Sequence, residues 1–201
     1  MMCSSQEFSI SAVEEILNFW LGDPQEADYG KGRKVWFRKD PVFDRLIRDQ
    51  FQVLYEQAAA GDLDNWVAEP RSCLALLILL DQFPRNMFRG TPQAFATDAK
   101  ALALAQTAIE RRYDRQLLPI QRWFVYLPFE HSENLEYQHL AVVYFQRLAE
   151  EHTETAASLS STLKHREIIE RFGRFPHRNA ILGRTSTAEE LEFLNQPGSS
   201  F

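Results

Sequence analysis

The sequence predicts one all-α domain, and three observations carry that expectation. Apolar residues recur at helical spacing from end to end, capping signatures open the segments, and no alternating β-branched stretch competes with them. Short linkers between the segments favour packed antiparallel helix pairs, about eight helices in all.

The elements follow in order. Ser11-Ala-Val-Glu14 reads as a capping box that opens a first helix through Trp20, stopped by Gly22, Asp23 and Pro24. Gly22 to Lys39 is the longest expected loop. Asp40-Pro41 supplies an N-cap and a proline at the first helical position of a second helix, whose Phe43, Leu46, Ile47, Phe51, Leu54 and Tyr55 share a face until Gly61. Pro70 opens a third helix. Its segment Cys73 to Leu80 is apolar all round, so it should be the buried centre, with Pro84 as its stop. Thr97 is expected to cap a fourth helix to about Arg112, Pro119 to start a fifth through Leu127, and Ser132 to cap a sixth through about Glu151. The sixth should bury Tyr137, Leu140, Tyr144, Phe145 and Leu148. A seventh is expected from about Thr155 to Phe172, ending at Gly173. Thr187-Ala-Glu-Glu190 is a second capping box, for an eighth helix ending before Pro197. Residues 1–201 thus form a single helical domain, with residues 1–8 and 196–201 expected to fray.

Composition narrows the function classes. The 201 residues carry 22 Lys plus Arg against 28 Asp plus Glu, a formal net charge of −6, and such an acidic balance argues against nucleic-acid binding. No apolar run approaches the roughly 20 residues that cross a bilayer, and the N-terminus lacks the apolar stretch of a signal peptide, so no membrane contact is expected. Cys3 and Cys73 stand apart with no Cys-x-x-Cys, which reads as a reduced, cytoplasmic protein without a cysteine-based metal site. Glu136-Tyr-Gln-His139 fits one half of a di-iron motif, but the second copy is missing, so neither metal nor cofactor is expected.

Two segments resemble each other. After the third helix comes Asp81-Gln-Phe-Pro-Arg-Asn-Met-Phe-Arg-Gly90-Thr. After the seventh comes Glu170-Arg-Phe-Gly-Arg-Phe-Pro-His-Arg-Asn-Ala-Ile-Leu-Gly183-Arg-Thr. Each has an acid near the helix end, then Phe-Pro, basic residues, asparagine, apolar residues and glycine. Arg85, Asn86, Arg89, Arg174, His177, Arg178 and Asn179 make two clusters of hydrogen-bond donors. Facing each other, they would form a pocket for a carboxylate or phosphate. Alternatively Asp81 and Glu170 neutralise arginines in ion pairs that only hold the corners. On the seventh helix Arg166 and Glu170 continue a stripe begun by Leu159 and Leu163, while His165, Ile168, Ile169 and Phe172 lie on another face. That pair belongs either to the ligand site or to solvent, as an i,i+4 ion pair.

A third constellation is Pro128-Phe-Glu-His-Ser-Glu133. Here His131 can act as a general base with Glu133 as its orienting carboxylate, or the segment can simply cap the sixth helix. The sequence lacks a nucleophile elbow, a P-loop and a dinucleotide fingerprint.

The segments Leu80 to Asn86, Leu127 to Glu133 and Arg171 to Asn179, with Asn18-Phe-Trp-Leu-Gly22 and Trp36-Phe37, resemble the bacterial domain-of-unknown-function family numbered 924. The resemblance covers nearly the whole chain. It implies an all-α fold similar to tetratricopeptide repeats and carries no activity with it. The spacing between Phe83 and Phe175 is not a tetratricopeptide multiple, so that period comes from the resemblance alone.

Three functions fit these residues. The first is a binding module whose polar pocket, built from Asp81, Arg85, Asn86, Arg89, Arg166, Glu170, Arg174, His177, Arg178 and Asn179, takes a small anionic ligand or an acidic peptide end. The second is a hydrolase or lyase of a small anionic substrate, with His131 and Glu133 as the catalytic pair. The third is a protein-interaction scaffold whose ion pairs are structural. Oligomeric state is not legible in the residues.

Overall fold

The computed structural model describes residues 3–199, with the backbone alone for residues 3–10 and 37. Every regular element among the described residues is helical. Helix α1 is Cys3–Leu21 and α2 is Pro41–Ala60. Ser11 therefore lies inside α1, which begins upstream of the expected capping box. Asp40 caps α2 as expected, its carboxylate accepting from the backbone of Val42 and Phe43. Gly61 closes α2 at φ 99°, a left-handed conformation that a Cβ would strain. The connection between them includes a short turn, Lys34–Phe37, pinned by Trp36, whose indole N–H donates to Trp20 O.

The centre of the molecule is a helical rod that changes pitch. It runs as α3 (Pro70–Leu77), a π-turn (Ile78–Gln82) and α4 (Phe83–Met87), and every residue from Cys73 to Pro84 is buried. Pro84 was expected to stop this helix, and it does not. A proline at that place withholds the N–H that Leu80 O would normally receive. The wider turn accommodates it: Phe83 N–H reaches back to Ile78 O, and the freed Leu80 carbonyl accepts the Thr97 hydroxyl at 2.6 Å. Thr97 thus serves the rod, and its side chain makes no cap bond to the helix that follows.

Around the rod pack α1, α2, α5 (Asp98–Glu110) and α6 (Pro119–Glu130). Trp20, Phe51, Phe83 and Phe124 meet in this core, Phe51 and Phe83 with ring centroids 4.9 Å apart. Helix α7 (Leu135–Glu151) packs between α6 and α8 (Ala156–Phe172). Its cap is Asn134, not Ser132, since Asn134 Oδ1 accepts from Glu136 N. Leu140, expected inside, is 38% exposed. Gly173 ends α8 at φ 67°, as its position suggested. The second corner then makes a turn at Pro176–Arg178 and leads to α9 (Ala188–Leu194), opened by the Thr187/Glu190 capping box. Of the segments expected to fray, residues 1, 2, 200 and 201 lie outside the described residues.

Candidate functional site

A cavity of about 550 Å³ opens where the two Phe-Pro corners, the α6–α7 joint and α8 meet. The first corner contributes Gln82, Arg85, Asn86 and Arg89, the joint contributes Glu130 and His131, and the second corner contributes His177 and Arg178. Trp36, Phe95, Trp123, Leu127 and Phe145 supply apolar wall, and Ser158, Ser161 and His165 line it from α8. Its volume falls in the range of small-molecule sites, about 300–1,000 Å³.

Asp81, expected at the site, does not line the cavity; the π-turn places it behind His131. Asp81 is fully buried there, and its Oδ1 lies 2.7 Å from His131 Nδ1. Gln82 Nε2 donates to the other carboxylate oxygen. Burial alone would raise the Asp81 carboxyl, but His131 and Arg85 beside it hold it down at about 2. An ionised Asp81 only accepts, so His131 Nδ1 carries the proton and Nε2 keeps its lone pair. Burial, reinforced by Arg85, pushes the His131 ring below its ordinary value despite Asp81, which favours the neutral ring.

Three arginines reach the cavity, and two are already matched. Arg85 makes a fork on Asp98 at 2.8 and 3.2 Å and lies 3.6 Å from Asp81. Arg89 forks onto Asp44, both contacts at 2.9 Å. Arg178 differs. It is 7% exposed, its guanidinium carbon stacks 4.7 Å from the Phe95 ring centre and 4.5 Å from that of Phe175, and its Nη1 donates only a long hydrogen bond, 3.5 Å, to Asp98 Oδ2. Its Nε is buried without a hydrogen bond. Burial, with Arg85 adding repulsion, lowers Arg178 to about 10, so the group remains a cation at neutral pH.

Glu130 and His165 face the cavity from the other side. Glu130 accepts from Thr162 Oγ1 at 2.6 Å and from Ser161 Oγ at 3.2 Å, and lies 3.1 Å from His165 Nδ1. Burial pushes the Glu130 carboxyl up to about 7 against those hydrogen bonds. The same cause pushes His165 down to about 3, and burial with Arg178 pushes His177 down to about 4.

Several residues expected at the site stand elsewhere. Glu133 is not the partner of His131; it accepts from the backbone of Phe175 at 2.8 Å and takes an Arg184 fork at 2.6 and 2.9 Å. Arg174 forks onto Glu190 at 2.6 and 2.8 Å and, with the Thr187 backbone, holds that carboxyl down at about 2. Asn179 is buried and donates to Ser186 Oγ. Arg166 and Glu170 pair with each other at 3.2 Å, and Glu170 lies 3.6 Å from His139. None of these five lines the cavity. Sequence reasoning missed Asp98, Trp123 and Phe95, for which no motif exists. His165 did carry a signal, since it shares a helix face with Ile168 and Ile169.

The family model described as "Bacterial protein of unknown function (DUF924)" matches residues 16–198. The chain belongs to the DUF924 family. A solved structure of a protein of unknown function from Agrobacterium tumefaciens is similar to this DUF924 chain at 40% identity and a TM-score of 0.81, over 93% of this chain and 98% of the other. None of the curated proteins matches it. The DUF924 assignment gives no activity, and the all-helical fold rests on the described elements and on the similar solved structure. No helix of the described residues is long and apolar enough to cross a membrane, and no group of three His, Cys, Asp or Glu among them is placed to hold a metal ion.

Proposed function

We propose that this chain binds a small anionic molecule in the cavity between the two Phe-Pro corners. One observation carries the reading: Arg178 is a buried cation that lines the cavity, its Nε–H has no hydrogen bond, and its carboxylate partner, Asp98 at 3.5 Å, is already engaged by the Arg85 fork. Leaving a buried donor without a partner costs about 1–3 kcal/mol, which an anion in the cavity would recover. Phe95 and Phe175 hold the guanidinium plane in place, and the corner's attachment through Glu133 fixes its position.

The test is a thermal-shift series with phosphate, sulfate, acetate, succinate and 3-phenylpropanoate on the wild-type protein and Arg178→Met. A ligand at a hundredfold excess over Kd adds about 2.7 kcal/mol, which for a chain of this size moves Tm by roughly 5–10 °C. A rise with one or more anions that disappears in a folded Arg178→Met supports the reading. Flat curves, or a rise that the variant keeps, sink it.

The 2.7 Å contact between Asp81 and His131 supports a second reading, a hydrolase or lyase of a small anionic substrate. His131 Nε2 would take a proton from water or from a substrate carbon, and Asp81, in the role that the sequence suggests for Glu133, would stabilise the imidazolium. Proton NMR in D2O on any anion that binds would reveal turnover. A rate unaffected by His131→Ala disposes of this version.

A further inference from the structure

We propose that the ligand is a monocarboxylate with an apolar body, its carboxylate on Arg178 and its body along Trp36, Trp123 and Phe145. The inference rests on the anion-binding reading and narrows it by counting charges. Arg85 is committed to Asp98 and Asp81, and Arg89 to Asp44, each fork being complete. Of the described arginines that line the cavity, Arg178 is the one with a buried N–H, at Nε, that has no hydrogen bond; its Nη1 makes only a long contact to Asp98 at 3.5 Å, an acceptor already taken by the Arg85 fork. One guanidinium fork matches the two oxygens of one carboxylate. A second negative charge would meet no second arginine with an unfilled N–H among the described lining residues, and a phosphate monoester would bring more oxygens than one fork can satisfy.

The rest of the wall sets the body of the molecule. Away from the corners the wall holds Trp36, Trp123, Leu127 and Phe145 beside the polar groups of Glu130 and α8, and hydroxyls or charges placed against the rings would lose water without gaining partners. An aryl or alkyl chain instead gains about 25 cal/mol for each Å² of apolar surface that leaves water. The cavity volume of about 550 Å³ leaves room for such a body beyond the carboxylate. Glu130 is compatible with this occupant: burial keeps its carboxyl protonated well above the usual range, so below neutrality it adds no repelling charge.

The experiment is isothermal titration calorimetry on the intact chain with five probes: 3-phenylpropanoate, octanoate, 3-phenylpropan-1-ol, succinate and inorganic phosphate. The expected result is saturable binding of one or both apolar acids, with the alcohol and Arg178→Met each weaker by about ten- to a hundredfold. Succinate and phosphate should give no saturable heat. Arg178→Lys, which keeps the charge and loses the fork, provides a second variant if the methionine protein is unfolded by circular dichroism, and it should also lose affinity for the apolar acids. Saturable, Arg178-dependent binding of succinate or phosphate without the apolar acids overturns the ligand class and leaves the anion-binding reading standing. Equal affinity for alcohol and acid, or no binding of any probe, overturns both.

Discussion

His131 Nδ1 lies 2.7 Å from Asp81 Oδ1, a contact that ties the α6–α7 joint to the π-turn across 50 residues of sequence. Asp81 is buried and His131 largely so, and Arg85 stands 3.6 Å from the same oxygen. Asp81→Asn keeps the volume and removes the charge, leaving Arg85 and His131 to face each other. Removing one partner of a buried charge set destabilises by roughly 3–5 kcal/mol, so urea unfolding should show a loss of that order. The His131 ring should titrate lower still, because Asp81 is what draws it upward. The pH sign follows from the depressed carboxyl: its contribution is complete above about 4 and lost as pH falls through about 2. An acid limb of unfolding that is identical in wild type and Asp81→Asn would contradict this account.

Much of the fold was legible because helix signals are local. Asp40 before Pro41, Gly61, Gly173 and the Thr187/Glu190 box each act within one turn, and each does so in the structure. Pro84 was misread because its local rule, a missing N–H, was rescued by Thr97 from a different element. The site was legible in part for the same reason. Arg85, Asn86, Arg89, His177 and Arg178 stand out in the repeated corners, His131 in the separate Pro128–Glu133 segment, and all six line one cavity. Which acid meets which base was not legible: Asp81 rather than Glu133 reaches His131, and Glu190 claims Arg174. Such pairings depend on side chains brought together from distant elements.

Glu133 has a different task from the one its neighbour His131 suggested. Its carboxylate joins the second corner to the joint, accepting from the Phe175 backbone and from Arg184, and these donors lower it below the usual range. Glu133→Gln should lower stability by about 1–2 kcal/mol, since the groups are half-buried and partly screened. A double-mutant cycle with Arg184→Met should return a coupling of about 1 kcal/mol. Ligand affinity should fall as well, because the same corner carries His177 and Arg178. A coupling indistinguishable from zero would mean that the fork does not hold the corner.

Cys73 sits inside the central rod, 1% exposed, and burial pushes its thiol up to about 12. A thiol that neither ionises nor meets solvent should not react with Ellman's reagent. In a Cys3→Ser background the native protein should release no thionitrobenzoate, and release on adding denaturant should follow the unfolding curve. Prompt reaction in the native state would mean that the rod opens locally on a much easier path than global unfolding.

Glu130 offers a pH test of the cavity that needs no ligand. Burial raises its carboxyl to about 7, so folded protein holds a proton that an unfolded glutamate would already have released. The associated stability is complete below about 4.5 and disappears as pH rises through about 7. His165 and His177 act in the opposite sense: burial depresses both rings, so their contribution is present above about 6.5 and lost as pH falls. The two trends overlap between about pH 4.5 and 7 and would mask each other in the wild type alone. Comparison with Glu130→Gln separates them, because the amide does not titrate while the histidines remain. The stability difference should shift in favour of the variant by on the order of 3 kcal/mol between pH 4.5 and 8, read from urea unfolding at closely spaced pH values. A difference that stays constant over that range would show that Glu130 ionises like an exposed carboxyl, and that the cavity admits enough water to solvate it.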